Sequence, residues 1–351
     1  MRAILELLGH ILRMSSRRDR TEINLEMLEA MEDLFHPGTL TLYRCYENET
    51  STTLFKCAGF GNGDRFCRNA YLPDPRFCTP IDMDPFLTRC RQENSLIRQN
   101  VSPGLQRLVV PVAQNENLFY LIDATLPEDF PPEQWVVLMG LTEFFGKHIA
   151  LLDYGETDTL TGLANRKTFD KHLFEVLGSA MNDECGPHDL ARARRHGDDS
   201  NGQHWLAVCD VDRFKSINDT YGHLMGDEVL VVLAQLMRQS MRLADQLFRF
   251  GGEEFVIVLQ PTSAMNALQV FNRFRRAVET HPFSRVGHAT ISIGFTRLLA
   301  TDTPPDVIDR ADEALYYAKE HGRNQVASYE ELVSSGKHRP HLVDRGGIEL
   351  F

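Results

Sequence analysis

Four acidic side chains on two short apolar runs are the residues of this chain whose types and spacing could do chemistry. Asp210 and Asp212 stand two apart in Cys209-Asp-Val-Asp-Arg-Phe-Lys215, at the end of an apolar run. In extended chain, side chains two apart point to the same face. Carboxylates there suit a hard cation such as Mg2+, which takes oxygen ligands and is held by one or two carboxylates plus substrate phosphates. Alone, Asp-x-Asp at a strand end is more often a turn with solvated acids. Phe250-Gly-Gly-Glu-Glu-Phe255 lies between two further apolar runs. Gly-Gly permits a tight turn and a close approach of ligand to backbone. If the two strands are neighbours, Glu253 and Glu254 face the Asp210 strand. Burying unpaired charge is costly, so a metal or a substrate is the natural compensation.

Groups so placed need a sheet behind them. Helical spacing is read over 167–177, 226–241, 264–279 and 305–320. Strands are read over 205–209, 246–250, 254–260 and 288–298, the middle two meeting at Gly251-Gly252. This βαββαβ order predicts a ferredoxin-like or palm-like arrangement. No Gly-x-x-x-x-Gly-Lys-Ser/Thr run occurs, so a P-loop is excluded. A long polar insert, 183–202, with Arg192, Arg194 and Arg195, reads as a surface loop.

The first part of the chain has a different pattern. Apolar residues from Leu5 to Leu34 recur at helical spacing until His36-Pro-Gly stops them. Strands are expected at 39–46, 52–60, 108–112 and 118–124, with 61–85 as loop and 114–117 as a turn. Pro111 suits an edge strand better than a central one. Pro131-Pro132 opens a long helix in which Leu138, Leu141, Phe145, His148 and Leu152 alternate three and four apart. That spacing fits either a helix packed on its own domain or a short coiled-coil seam pairing two subunits. The order helix, strand pair, crossover, strand pair, helix resembles the GAF and PAS sensor classes, GAF more than PAS. The chain is therefore expected to be α+β with two domains. The boundaries are a sensor at 1–131, a connecting helix at 132–157, a catalytic domain at 158–330 and a tail at 331–351.

A length of 351 residues suits two domains. With 37 basic and 49 acidic residues, net −12, the chain lacks the basic balance of a nucleic-acid binder, and no polymer partner is expected. The most apolar stretch, 135–152, includes Glu143, Lys147 and His148, so no membrane span is expected. The first residues lack a secretory pattern, which points to the cytoplasm. Five of the seven cysteines (Cys45, Cys57, Cys67, Cys78 and Cys90) lie in the first third without a C-x-x-C pair, so buried or half-buried free thiols are expected.

Gly251-Gly-Glu-Glu-Phe255 resembles the signature of the GGDEF-family diguanylate cyclases in its Glu variant. The resemblance spans about 158–329 and includes Asp158-Thr-Leu-Thr-Gly-Leu-Ala-Asn-Arg166, the block from Asp210 to Asp227, and Tyr316-Tyr-Ala-Lys-Glu-His-Gly-Arg-Asn324. It implies condensation of two GTP into cyclic di-GMP at the interface of a homodimer. Asp210, Glu253 and the carbonyl of Val211 would hold Mg2+ or Mn2+, two ions per GTP half-site, with Glu254 supporting the second. Glu253 would be a base or only a metal ligand. Asn218 and Asp227 would read guanine, with His223 and Phe214 lining the pocket. A carboxylate can accept from guanine N1–H and its 2-amino group, whereas adenine would leave Asp227 unpaired. Lys215, Lys319 and Arg323 would hold phosphates, the last two standing four apart on one helix face. Arg242 and Asp245 match an inhibitory product site; as an isolated pair they would be a surface ion pair. The sensor ligand is not readable. The rival expectation is a non-catalytic receptor for cyclic di-GMP or GTP, which the intact acids Asp210, Glu253 and Glu254 disfavour.

Overall fold

The computed structural model describes residues 2–337 except 48–50, 62, 69–72, 74, 116–117, 184–201 and 300. Nearly all of the insert at 183–202, the centre of the turn at 114–117 and the tail beyond 337 lie outside the described residues. The chain divides into two units, Met1–Gly155 and Glu156–Phe351.

The first unit opens with α1 (Arg2–Ser16) and α2 (Arg20–Phe35), where one helical pattern was read. The break has a local cause: Asp19 caps α2, its carboxylate accepting from the backbone N–H groups of Thr21 and Glu22. His36, in the left-handed region at φ 45°, ends α2 as expected. Then come β1 (Thr39–Glu47), β2 (Thr52–Gly61), β3 (Asp64–Cys67), β4 (Cys78–Pro80), α3 (Pro85–Glu93), β5 (Ile97–Ser102), β6 (Leu105–Asn115), β7 (Leu118–Pro127) and α4 (Pro132–Glu156). The strands form one sheet ordered β3-β2-β1-β7-β6-β5, with β4 beside β2.

Several of these elements differ from the sequence expectation. The stretch 61–85 is not loop throughout, since β3 and β4 pair with β2. α3 and β5 were not anticipated. α3 is short and polar, and only Asp84 capping Phe86 and Leu87 ahead of Pro85 signals it. β5 is exposed beyond Ile97, so it shows no alternation. Pro111 lies on an interior strand, β6, paired with Leu121 of β7. It is tolerated because β5 stops at Ile97, opposite Val109, before it reaches Pro111.

α1, α2 and α4 cover one face of this sheet, packing Met14, Met27, Met31, Leu138, Leu141, Phe145 and Ile149 against Leu42, Val110, Tyr120 and Ile122. α3 covers the other with Leu87 and Cys90 against Tyr43, Cys45 and Leu121. Leu138, Leu141 and Phe145, read as a possible seam, are buried in this unit's own core. By length and composition α4 could cross a membrane, a test the sequence reading had it fail; its buried face is occupied by that core. Near its end, buried Asp153 pairs with buried Arg20 of α2. Of the described cysteines, Cys45, Cys57, Cys90 and Cys209 are buried free thiols, whereas Cys67 is exposed.

The second unit contains β8 (Ala164–Asn165), α5 (Arg166–Asp183), β9 (Gln203–Val211), α6 (Phe214–Tyr221), α7 (His223–Ser240), β10 (Gln246–Gly251), β11 (Glu254–Thr262), α8 (Ala264–Thr280), β12 (Ile291–Arg297), α9 (Pro304–Glu320), β13 (Val326–Ser328) and α10 (Tyr329–Ser334). The sheet order is β13-β12-β9-β11-β10-β8. Its four central strands realise the βαββαβ expectation, with β9 antiparallel to both β11 and β12. Alternate residues Trp205, Ala207 and Cys209 face α7 and α8 in a core with Phe271, Phe274 and Leu233. The opposite face meets α9 at Gly294, where an added Cβ would fall 2.0 Å from the Leu315 nitrogen and 2.2 Å from the Ala311 oxygen. That close approach brings the last turn of α9 over the end of β9.

Candidate active site

The pairing of β9 with β11 puts Glu254 directly across from Asp210, which confirms the neighbour relation on which convergence of the acids depended. Gly251 and Gly252, at φ 149° and 53°, make the turn that carries half-buried Glu253. A side chain at either position would be strained there. The turn is clamped from outside. Arg249 donates through Nε and Nη2 to the Gly252 carbonyl at 3.1 and 2.8 Å, and through Nη1 to Asp158 Oδ1 at 2.9 Å. Asp158 also accepts from Thr161 N and Oγ1 at 2.8 and 2.7 Å. Burial pushes the Asp158 carboxyl up, but these hydrogen bonds outweigh it and hold it below its ordinary value.

Asp210 is 6% exposed. Burial pushes its carboxyl up, and the charges of Glu253 and Asp212 add to that; the hydrogen bond from Lys319 opposes them. Lys319 Nζ lies 2.8 Å from Asp210 Oδ2. Glu254 is raised by burial and then by Asp210. Asp312 of α9, a residue the sequence reading passed over, is pushed up to about 7 by burial and by the charges of Glu254 and Asp309. The site thus has an excess of carboxylates around one lysine, an arrangement that attracts cations.

Asp212 does not share this face. β9 ends at Val211 and the chain turns through Arg213 at φ 58°. The Asp212 carboxylate accepts from Ser292 Oγ and Thr290 Oγ1, each at 2.7 Å, and from the Asn324 backbone N–H at 2.9 Å. It ties β9 to β12 and to the segment after α9, so the same-face expectation fails for it. Among the described residues, no three His, Cys, Asp or Glu side chains are grouped as a metal site. The oxygen donors of Asp210, Glu253 and Glu254 nevertheless fit Mg2+, which is held by few carboxylates and takes its other ligands from phosphate and water. Val211 has its side chain in the core, so only its carbonyl is a candidate donor.

α6 and α7 form a tight pair joined at Gly222, φ 84°. Gly226 has no Cβ, and one placed there would lie 2.0 Å from Asn218 Oδ1. Half-buried Asn218 therefore rests on Gly226, beside exposed Asp227. His223 and Lys215 are exposed on the same pair of helices. Phe214 is buried in the core and lies 3.2 Å from that same added Cβ, so it supports the site from beneath.

Arg323 does not lie on the helix with Lys319. α9 ends at Glu320, Gly322 takes φ 117°, and Arg323 stands at φ 63° with its N–H donating to Ala318 O. The i,i+4 argument therefore fails, although Arg323 remains exposed within a turn of Lys319.

Arg242 and Asp245 are not held as a side-chain ion pair. Asp245 Oδ2 accepts from the Arg242 backbone N–H at 2.8 Å, and Oδ1 from Gln260 N at 3.0 Å. Burial raises the Asp245 carboxyl against these bonds. Arg242 is exposed, and Arg273 of α8, missed in the sequence, donates to Ser240 O and lends its charge to Asp245. Arg273 and Arg276 line a pocket of about 450 Å3.

The model of the family described as diguanylate cyclase, GGDEF domain, matches residues 156–325. Diguanylate cyclase DgcP of Pseudomonas aeruginosa is 40% identical over 173 residues, 48% of this chain and 23% of that protein. Response regulator PleD of Caulobacter vibrioides is 37% identical over 182 residues, 50% of this chain and 36% of that protein. The chain thus spans about a quarter to a third of the length of these curated relatives. A solved coiled-coil and GGDEF structure of DgcB from Caulobacter crescentus, in complex with c-di-GMP, is 28% identical, covers 56% of this chain and 97% of that one, with a TM-score of 0.47. Residues 156–325, which include the Asp210, Glu253 and Glu254 cluster, are a GGDEF domain similar to those of diguanylate cyclases.

Proposed function

We propose that this protein condenses two GTP into cyclic di-GMP and two pyrophosphates. The observation that carries the reading is the cross-strand pair of Asp210 and Glu254 beside Glu253 on the glycine turn, within reach of the Lys319 ammonium. Asn218 and Asp227, brought together over Gly226, present the donors and acceptors that suit a guanine edge, with His223 and Phe214 bounding the pocket. Lys215, Lys319 and Arg323 supply the positive charge for the phosphates. The chemistry brought by bound Mg2+ or Mn2+ at Asp210, the Val211 carbonyl, Glu253 and Glu254, two ions per half-site, is polarisation of the α-phosphate and activation of the attacking hydroxyl.

In each of two steps a 3′-oxygen forms a bond to the α-phosphorus of the other GTP, the bond to pyrophosphate breaks, and the hydroxyl proton leaves through Glu253 or solvent. Each catalytic unit offers one GTP half-site, so the active species is a homodimer. The first unit, read as a GAF-like sensor at 1–131, with 132–157 as the connector to a catalytic domain at 158–330, sets how often two half-sites meet. Cyclic di-GMP returns to an inhibitory site at Arg242 and Asp245, and Arg273 adds charge to it. The protein works in the cytoplasm.

The test is incubation with GTP and Mg2+ beside Glu253→Gln, with products identified by mass. Cyclic di-GMP from the native protein and none from the variant is the expected result. If the native protein and a nucleotide-stripped Arg242→Ala variant both stay silent at high concentration, the reading fails in favour of a receptor.

A further inference from the structure

The Lys319–Asp210 pair puts one residue in two roles that it cannot hold together. Asp210 is buried, and Glu253, Glu254 and Asp312 all act on the same small region. A buried carboxylate needs a compensating charge, and in this structure Lys319 Nζ supplies it at 2.8 Å. The same carboxylate is the expected ligand of a divalent cation, and the same ammonium is expected on a phosphate. A dication bound to Asp210 would sit about 2 Å from its oxygen, too close to an ammonium already hydrogen-bonded there for both to remain. The backbone of α9 packs directly on Gly294 of β12, and its retreat would cost the void left at that contact. The lysine side chain can: it is 32% exposed on a flexible stem.

The geometry points to Lys319 as a placeholder cation: it occupies Asp210 before the divalent ion arrives and moves onto the nucleotide's phosphates when the ion takes that carboxylate. This rests on the cyclase reading and deepens it. Lys319 opposes metal binding in the absence of nucleotide and favours nucleotide binding in its presence. Metal and GTP therefore enter as coupled ligands, and the coupling is reciprocal. Little divalent ion is held by a site without substrate. Asp210 meanwhile is held in orientation by the ammonium.

The experiment uses the full chain and Mn2+ as the probe, titrated without nucleotide and followed by the electron paramagnetic resonance of the free ion. Asp210→Asn identifies the site. Lys319→Met is expected to tighten Asp210-dependent Mn2+ binding by about tenfold, in the range of measured couplings. Lys319→Arg keeps the positive charge and should stay near the native value, which separates loss of charge from general disturbance. With the α,β-methylene analogue of GTP present, the order reverses, and Lys319→Met binds the analogue about tenfold more weakly than the native protein. Unchanged Mn2+ affinity in Lys319→Met, or equal tightening in Lys319→Arg, overturns the placeholder role. If the native protein still makes cyclic di-GMP in that case, the cyclase reading survives. Absence of both product and an Asp210-dependent Mn2+ site sinks both.

Discussion

A glycine and an asparagine show how residue identity is decided by a neighbour far along the chain. Gly226 lies inside α7, where alanine would be the better helix former by about 1 kcal/mol. Its missing Cβ is the space that Asn218 Oδ1 fills. Gly226→Ala should leave stability within about 1 kcal/mol, because the clash is with the end of a side chain that can turn away. It should raise the KM for GTP about tenfold, equivalent to about 1.4 kcal/mol of lost recognition; a steady-state titration beside a thermal melt checks both. Asp312 is the second telling residue. Its carboxyl is pushed up to about 7 by burial first and by Glu254 next, and Asp210 and Glu254 move in the same direction. Between about pH 4 and 7 the folded protein holds protons that the unfolded chain has released, so stability falls as pH rises through that window. Asp158, held low, loses its contribution only below the ordinary carboxylate value of 3.8 and does not interfere. The metal-free protein should therefore resist denaturant better at pH 5 than at pH 7.5, and Asp312→Asn should shrink that difference. An unchanged pH dependence in the variant would remove Asp312 as its source.

At the scale of elements, the position of α9 decides the site. Its capping box at Thr303 and Asp306 starts it, and Gly322 with Arg323 in the left-handed region stops it. Between them Gly294 of β12 lets the helix backbone approach the sheet directly. Gly294→Ala would place a methyl group against backbone atoms of Ala311 and Leu315, which cannot turn aside as a side chain can. Overpacking of this kind costs about 3 kcal/mol, and the displaced helix would carry Lys319 away from Asp210. The expected outcome is a melting temperature lowered by several degrees together with loss of the Lys319-dependent effect on Mn2+ affinity. A variant as stable as the native protein would show that α9 is not fixed by this contact. In the first unit α4 has an equally definite assignment, because Leu138, Leu141, Phe145 and Ile149 all pack inward beneath the sheet.

For the whole molecule, the proposed chemistry sets an arithmetic of subunits. One catalytic unit presents one set of Asp210, Glu253, Glu254, Asn218 and Asp227, and the product contains two guanylyl halves. The rate per protein molecule should therefore rise with protein concentration and level off once dimers predominate. Sedimentation of the same samples should show the dimer fraction following the rate. A constant rate per molecule across a hundredfold dilution, with monomer throughout, would contradict the half-site scheme. The net charge of −12 keeps copies apart at long range, so pairing should strengthen with salt.

What the sequence determined by itself was periodic or local. Apolar runs such as 205–209, the turn at Gly251-Gly252, and the acids beside them made the βαββαβ order and the candidate acids legible, because apolar runs and turn chemistry act over a few residues. The tertiary structure decided what depends on who lies opposite. Asp212 left the metal face because β9 ends one residue before it and Thr290, Ser292 and Asn324 claim its carboxylate. Arg323 left the helix because three residues in a row, Gly322 to Asn324, adopt positive φ. Pro111 could sit on an interior strand because its neighbour is short. Lys319 met Asp210 across more than a hundred residues of chain, and the carboxylates converged only because sheet register placed Glu254 beside Asp210. Spacing along a chain encodes which face a residue takes; only packing assigns the partner on that face.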